Sequence, residues 1–168
     1  MEARYRGRRV TVEVGEVRLP NGLRMTAERV VFPPVVSVLA VDGGEAVFVK
    51  QYRPALGRYT LELPSGVVDE GESPEEAAVR ELEEEAGLKA RRLRLLFRGF
   101  VSPGYSTEYA YIYLAEEVEP GNHKPEPYEV IEVARIPVAE AAAMAARGEL
   151  EDLRATAALM LYCKLRRC

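Results

Sequence analysis

Among the four glutamates in the five residues after Arg80 are Glu81, Glu84 and Glu85. If the segment is helical, a turn of about 100° per residue sets all three along one edge. Like charges at i,i+3 and i,i+4 destabilise a helix by roughly 0.2–0.5 kcal/mol per pair, so the crowding is a cost unless a cation sits beside it. Oxygen donors, with no Cys or His nearby, favour a hard ion, Mg²⁺ or Mn²⁺, over zinc. Such an ion polarises phosphoryl oxygens and acidifies water.

The flanking residues set out the element that carries the glutamates. Ser73 suits an N-cap, Pro74 the first helical position, and Glu76 completes a capping box with Ser73. Gly87 stands where a left-handed C-cap belongs, so the helix is predicted over about Pro74 to Ala86. Ala78, Val79, Leu82 and Ala86 make its apolar stripe, with the glutamates crowding the arc beside it. Before the helix lies Gly66, where the chain is expected to approach the ions closely.

The whole stretch runs Gly66, five residues, Glu72, seven residues, Arg80-Glu81-Leu82, one residue, Glu84-Glu85, one residue, Gly87-Leu88. This resembles the Nudix box of the Nudix hydrolases, without a departure from the family's motif. The resemblance implies Mg²⁺, or Mn²⁺, held by Glu81 and Glu85 together with the backbone carbonyl of Ser65. Glu84 would be a further ligand or hold water on the ions, and Arg80 would orient the glutamates by charge-assisted hydrogen bonds. The fold implied is α/β, an α/β/α sandwich with a mixed sheet, plus an N-terminal antiparallel hairpin.

Around the box, alternation and turn chemistry place the remaining elements. Arg9 to Leu19 and Leu23 to Phe32 read as a hairpin about Pro20-Asn21-Gly22. Val35 to Val41 reads as a strand buried on both faces, and Glu45 to Arg53 and Arg58 to Leu63 as the next two. Leu93 to Val101 and Tyr109 to Val118 follow the box. Val138 to Arg147 and Asp152 to Leu165 read as helices that cover the sheet.

Gln51-Tyr52-Arg53-Pro54 and Leu61-Glu62-Leu63-Pro64-Ser65-Gly66 resemble the segments ahead of the box in the ADP-ribose pyrophosphatase branch. By that resemblance Arg53 faces a diphosphate and Glu62 lines the site. Pro103 and Gly104 in Ser102-Pro103-Gly104, with Glu108 after them, are similar to that branch's substrate loop. The segment Glu129-Val130-Ile131-Glu132-Val133 resembles the point where the family's catalytic loop re-enters a strand; Glu129 is the candidate general base and Glu126 the alternative. His123, the only histidine, is expected to face solvent.

At 168 residues the chain fits one domain with a small appendage, residues 1–34 as the hairpin segment and 35–168 as the hydrolase domain. The resemblance makes the hairpin segment a dimerisation element, and a homodimer is expected. A net charge of −4 gives no reason to expect nucleic-acid binding. The N-terminus lacks the apolar core of a signal peptide and no apolar run is long enough to span a membrane, so a cytoplasmic location is expected. Cys163 and Cys168, close together at the C-terminal end, are in no metal or redox spacing, and a terminal or intermolecular disulfide stays open.

The activity implied is hydrolysis of a small-molecule nucleoside diphosphate sugar, ADP-ribose, to AMP and ribose 5-phosphate. Two alternatives stand beside it: another nucleoside diphosphate sugar as substrate, or a module that senses ADP-ribose without cleaving it. Val31-Phe32-Pro33-Pro34 departs from the basic residue and Pro-Gly pair found in many members, which bears on specificity.

Overall fold

The computed structural model describes residues 1–166. Ten strands and three helices follow in the order β1 (Glu2–Arg6), β2 (Thr11–Arg18), β3 (Arg24–Val31), β4 (Val35–Asp42), β5 (Glu45–Arg53), β6 (Arg58–Glu62), β7 (Ser65–Val67), α1 (Pro74–Ala86), β8 (Leu88–Phe100), β9 (Tyr109–Pro120), β10 (Ile131–Pro137), α2 (Val138–Ala146) and α3 (Leu153–Arg166).

The body is a seven-stranded mixed sheet ordered β10-β5-β4-β9-β8, with β6 added on β5 and β7 on β4. β4 and β9 run parallel while the other pairs are antiparallel. Alternation along β4 sends Val36, Val38 and Ala40 to one face, where they pack with Ala77, Ala78 and Leu82 of α1. Leu39 points the other way, into a core with Phe48 of β5, Ala141 of α2, and Ala158 and Leu159 of α3. The result is the expected α/β/α sandwich, with α1 alone on one side.

The N-terminal segment is a three-stranded antiparallel sheet, β1-β2-β3, and not only a hairpin. The turn at Pro20-Asn21-Gly22 forms as its residues predict, with Gly22 at φ 89° and its N–H on Leu19 O at 2.9 Å. β1 was not foreseen: Glu-Ala-Arg-Tyr-Arg has no clean alternation, and pairing with β2 is what makes it a strand. The sheet joins the body at one edge. Val30 donates to Tyr105 O at 2.7 Å and Thr107 to Val30 O at 3.0 Å, and the Phe32 N–H reaches Thr107 Oγ1 at 2.8 Å.

Some element limits differ from expectation. β8 begins at Leu88, directly after the C-cap of α1 and ahead of the expected Leu93, because β9 supplies ladder partners to Lys89 and Ala90. α2 ends at Ala146, and α3 runs from Leu153. Cys163 is partly buried against the core beneath α2 and α3, whereas Cys168 lies outside the described residues, so the disulfide expectation does too. Among the described residues no helix is long and apolar enough to cross a membrane.

Candidate active site

α1 is placed by the local signals its sequence carries. Ser73 Oγ accepts from the Glu76 N–H at 3.2 Å, Glu76 Oε2 accepts from the Ser73 N–H at 2.8 Å, and Gly87 closes the helix at φ 65°. Its buried face differs from the expected stripe. Ala77, Ala78, Glu81, Leu82 and Glu85 are buried, while Val79 and Ala86 are only partly so. The helix is thus rotated to carry two glutamates inward. Glu84 keeps 41% of its side chain exposed.

The two inward carboxylates settle on the β7 turn. Glu85 Oε2 accepts from the Ser65 N–H at 2.8 Å. Glu81 lies over Gly66 so closely that a Cβ there would stand 1.8 Å from Glu81 Oε1. Gly66, expected to let the chain approach the ions, is here the point where the chain approaches a carboxylate. Arg80 grips the edge of the cluster: Nη1 donates to Glu81 Oε1 at 2.6 Å and to Glu84 Oε2 at 3.3 Å, while Nε and Nη2 make a fork onto Glu72 at 2.9 Å each. Its Nη2 also donates to Val67 O at 3.1 Å.

Burial governs the charge of this pair. Desolvation pushes Glu85 up to about 8, against the Ser65 N–H, with repulsion from Glu81 and Glu129 adding to it. Desolvation likewise lifts Glu81 to about 6, in spite of the hydrogen bond from Arg80 and with Glu84 and Glu129 raising it further. The Arg80 guanidinium is held strongly protonated, first by its hydrogen bond to Glu72.

A cavity of about 700 Å³ opens over this edge. Ser65, Gly66, Arg80, Glu81 and Glu84 line it from β7 and α1; Arg53, Arg58, Thr60 and Glu62 line it from β5 and β6. Glu108, Glu126 and Glu129 also face it; Glu85 sits behind the lining, and Pro103 and Gly104 are not part of it. These two stand exposed at the tip of the loop that binds β3. His123 is exposed, as expected, against the Gly87 cap.

Arg53 and Glu62 meet each other. Nε and Nη2 of Arg53 hold Glu62 Oε1 and Oε2 at 2.7 and 2.5 Å, and Thr60 Oγ1 donates to Oε1 as well. Burial would raise the Glu62 carboxyl, but the hydrogen bonds from Arg53 and Thr60 hold it below the ordinary carboxylate range.

The segment after β9 ties the remaining candidates to α1. The Lys124 N–H caps Glu84 O at 3.0 Å, the Gly121 N–H reaches Gly87 O at 2.8 Å, and the Asn122 N–H reaches Glu83 Oε1 at 3.0 Å. Beyond this anchor, Glu126 donates its N–H to Glu129 Oε2 at 2.9 Å, and Glu129 returns its own N–H to Glu126 O.

Several cavity residues were not foreseen. Arg8 and Arg9 come from the turn between β1 and β2, and Asp152 and Arg154 from the start of α3. Arg154 Nη2 reaches Glu62 Oε2 at 3.4 Å across 92 positions of sequence. An Asp two residues ahead of an Arg at a helix start signals a cap, and nothing in that spacing points to a cavity.

The donor set around Glu81, Glu84 and Glu85 fits a hard divalent cation in chemistry and charge: it is oxygen only, and the burial that raises Glu81 and Glu85 is relieved by a positive neighbour. Among the described residues no three His, Cys, Asp or Glu side chains converge as a ready chelate. Glu81 is turned to Arg80 and Glu85 to Ser65, so loading an ion requires those carboxylates to exchange partners.

Comparison with known proteins gives a consistent picture. The family model described as NUDIX domain matches residues 31–159. An ADP-ribose pyrophosphatase of Bacillus subtilis (strain 168) is 36% identical over 165 residues, covering 96% of this chain and 89% of that protein. An ADP-ribose pyrophosphatase of Mycobacterium tuberculosis (strain ATCC 25618 / H37Rv) is 36% identical over 149 residues, 86% of this chain and 72% of its own. A crystal structure of an ADP compounds hydrolase superposes with a TM-score of 0.87 at 27% identity, covering 99% of this chain and 91% of its own.

Proposed function

Because the chain belongs to the Nudix hydrolase family, we propose that it hydrolyses the diphosphate linkage of ADP-ribose, giving AMP and ribose 5-phosphate, with Mg²⁺ as the cofactor and Mn²⁺ as its substitute. The observation that carries this reading is the pair of buried carboxylates, Glu81 and Glu85, seated on the Gly66 turn beside a cavity that Arg53 also lines. Glu81, Glu84, Glu85 and the carbonyl of Ser65 are the proposed ligands. What a divalent cation supplies when bound there is neutralisation of phosphate charge and a more acidic water.

The chain's own residues do the rest. Arg80 holds Glu81 and Glu84 in place from one side and is itself anchored by its fork onto Glu72. Arg53 is the proposed contact to the diphosphate, as a planar donor fork suited to phosphate oxygens. Glu129 is the proposed base. It lines the cavity, is near enough to Glu81 and Glu85 to raise both carboxyls, and is held in place by the Glu126 N–H on its Oε2; Glu126, which lines the same cavity, is the alternative. Glu62 and Glu108 complete the proposed substrate contacts.

A second substrate reading has one observation in its favour. Pro103 and Gly104, similar to the branch's substrate loop, lie outside the cavity lining, which leaves other ADP compounds or nucleoside diphosphate sugars as alternatives. The deciding assay offers ADP-ribose beside ADP-glucose, GDP-mannose, UDP-glucose and NADH with Mg²⁺, and identifies products by chromatography. Preferential release of AMP from ADP-ribose is the expected result; preference for another compound would discard the specificity and keep the metal site, and no turnover at all would sink both.

A further inference from the structure

Four charged side chains alternate in sign along one side of the cavity: Arg53, Glu62, Arg154 and Asp152. Glu62 is the most enclosed, with 7% of its side chain exposed, and it takes the whole fork of Arg53. If Arg53 turns to an anionic ligand, that fork opens. Glu62 would then be a buried carboxylate without its principal cation, a state far more costly than the pair itself is stabilising. Arg53 is therefore held back by its own partner.

Arg154 stands where it can lift this restraint. Its Nη2 is 3.4 Å from Glu62 Oε2, the oxygen that Arg53 Nη2 also holds, and its Nε is 3.2 Å from Asp152 Oδ1. The other oxygen of Asp152 shows how the guanidinium is divided. Only 8% of the Asp152 side chain is exposed, yet its Oδ2 is without a hydrogen-bond partner among the described residues. A fork of Arg154 on Asp152 alone would satisfy both oxygens. Arg154 instead spends one arm on Glu62, leaving Oδ2 bare, and Asp152 is kept in place by capping α3 through the Arg154 N–H at 3.0 Å.

We propose that Arg154 is a positioning residue: by taking over the Glu62 carboxylate it releases Arg53 to bind the phosphate oxygens of the substrate. The inference rests on the reading that Arg53 contacts the diphosphate. It assigns to the start of α3 a part in binding and none in the bond-breaking step. The 3.4 Å contact shortens as the Arg53 fork opens, so Glu62 keeps a cation throughout.

The test is a set of kinetic constants with ADP-ribose and saturating Mg²⁺ for R154M, R154K, E62Q, R154M/E62Q and R53A. R154M is expected to raise KM about tenfold while kcat stays within about threefold, and R154K to lie between R154M and the parent. Added to E62Q, R154M is expected to change KM little, because the neutral amide that E62Q introduces needs no cation when Arg53 leaves. Additive effects in the two backgrounds would overturn the inference, and so would a loss in R154M that falls on kcat and Tm with KM unchanged, the mark of a merely structural Arg154. So would an unchanged KM in R154M with R53A impaired. An unchanged KM in R53A would overturn the Arg53 reading and the inference with it. Should R154M fail to fold, R154K carries the test by the same comparison with and without E62Q.

Discussion

A methyl added at Gly66 would overlap Glu81 Oε1, so Gly66→Ala displaces a carboxylate of the cluster while sparing the core, and a loss in kcat/KM of roughly a hundredfold is expected. Circular dichroism and a melt alongside the kinetics separate this from misfolding. Glu85→Gln is expected to cost activity by orders of magnitude yet leave the metal-free protein at least as stable at pH 8, since it removes a buried charge and keeps an acceptor for the Ser65 N–H; a collapse in Tm would contradict it. The raised carboxyls also set a pH dependence. Glu81 at about 6 and Glu85 at about 8, against an ordinary 4.5, keep protons in the folded state that the unfolded chain releases. In EDTA, stability is therefore highest below about pH 4.5 as far as these two groups decide it, and falls as pH rises through 6 and 8. Melts at about pH 5.5 and 8, with and without Mg²⁺, should show the larger metal-induced gain at the higher pH. At this scale the sequence exposes what lies close along the chain. Arg80 and its glutamates are neighbours and could be recognised together; Arg154 meets Glu62 across 92 positions, which no local spacing records.

α1 was legible for the same reason: its cap box, its first-turn proline and its terminal glycine each act on the residues next to them, and its limits fall where those residues put them. The direction of its buried face was not legible, because it is set by β4 and β7 beneath and not by its own stripe. Strands fared unevenly. β4 and β5 announce themselves by apolar runs, but β1 and the first residues of β8 are strands only through partners elsewhere. At this scale Ser73→Ala is expected to destabilise the fold by about 1 kcal/mol with kcat intact, measurable by denaturant titration. A fall in kcat without a shift in midpoint would contradict it and tie the cap directly to chemistry.

At the scale of the whole molecule, the β1-β2-β3 sheet is attached to the body through β3 and leaves much of β1 and β3 exposed, and it is there that the homodimer expected from the family resemblance would form. Sedimentation should show a dimer for the full chain and a monomer once residues 1–29 are removed; a truncated chain that still dimerises would place the contact on the body. The α/β/α plan with its N-terminal appendage was legible from the resemblance that the box carries, whereas Arg8 and Arg9, from the turn between β1 and β2, line the cavity through tertiary placement that no local spacing records. The parallel pairing of β4 with β9 has a consequence in time. Val35 lies opposite Ala110, so the centre of the body sheet waits for a distant strand, while β2 and β3 need only a short turn to close. On a ribosome the small sheet has its partners early, and β4 leaves the exit tunnel with one edge open until β9 is made. The interval in which that edge is bare, set by the rate of translation through α1 and β8, is where a nascent chain of this protein is most open to capture by its neighbours.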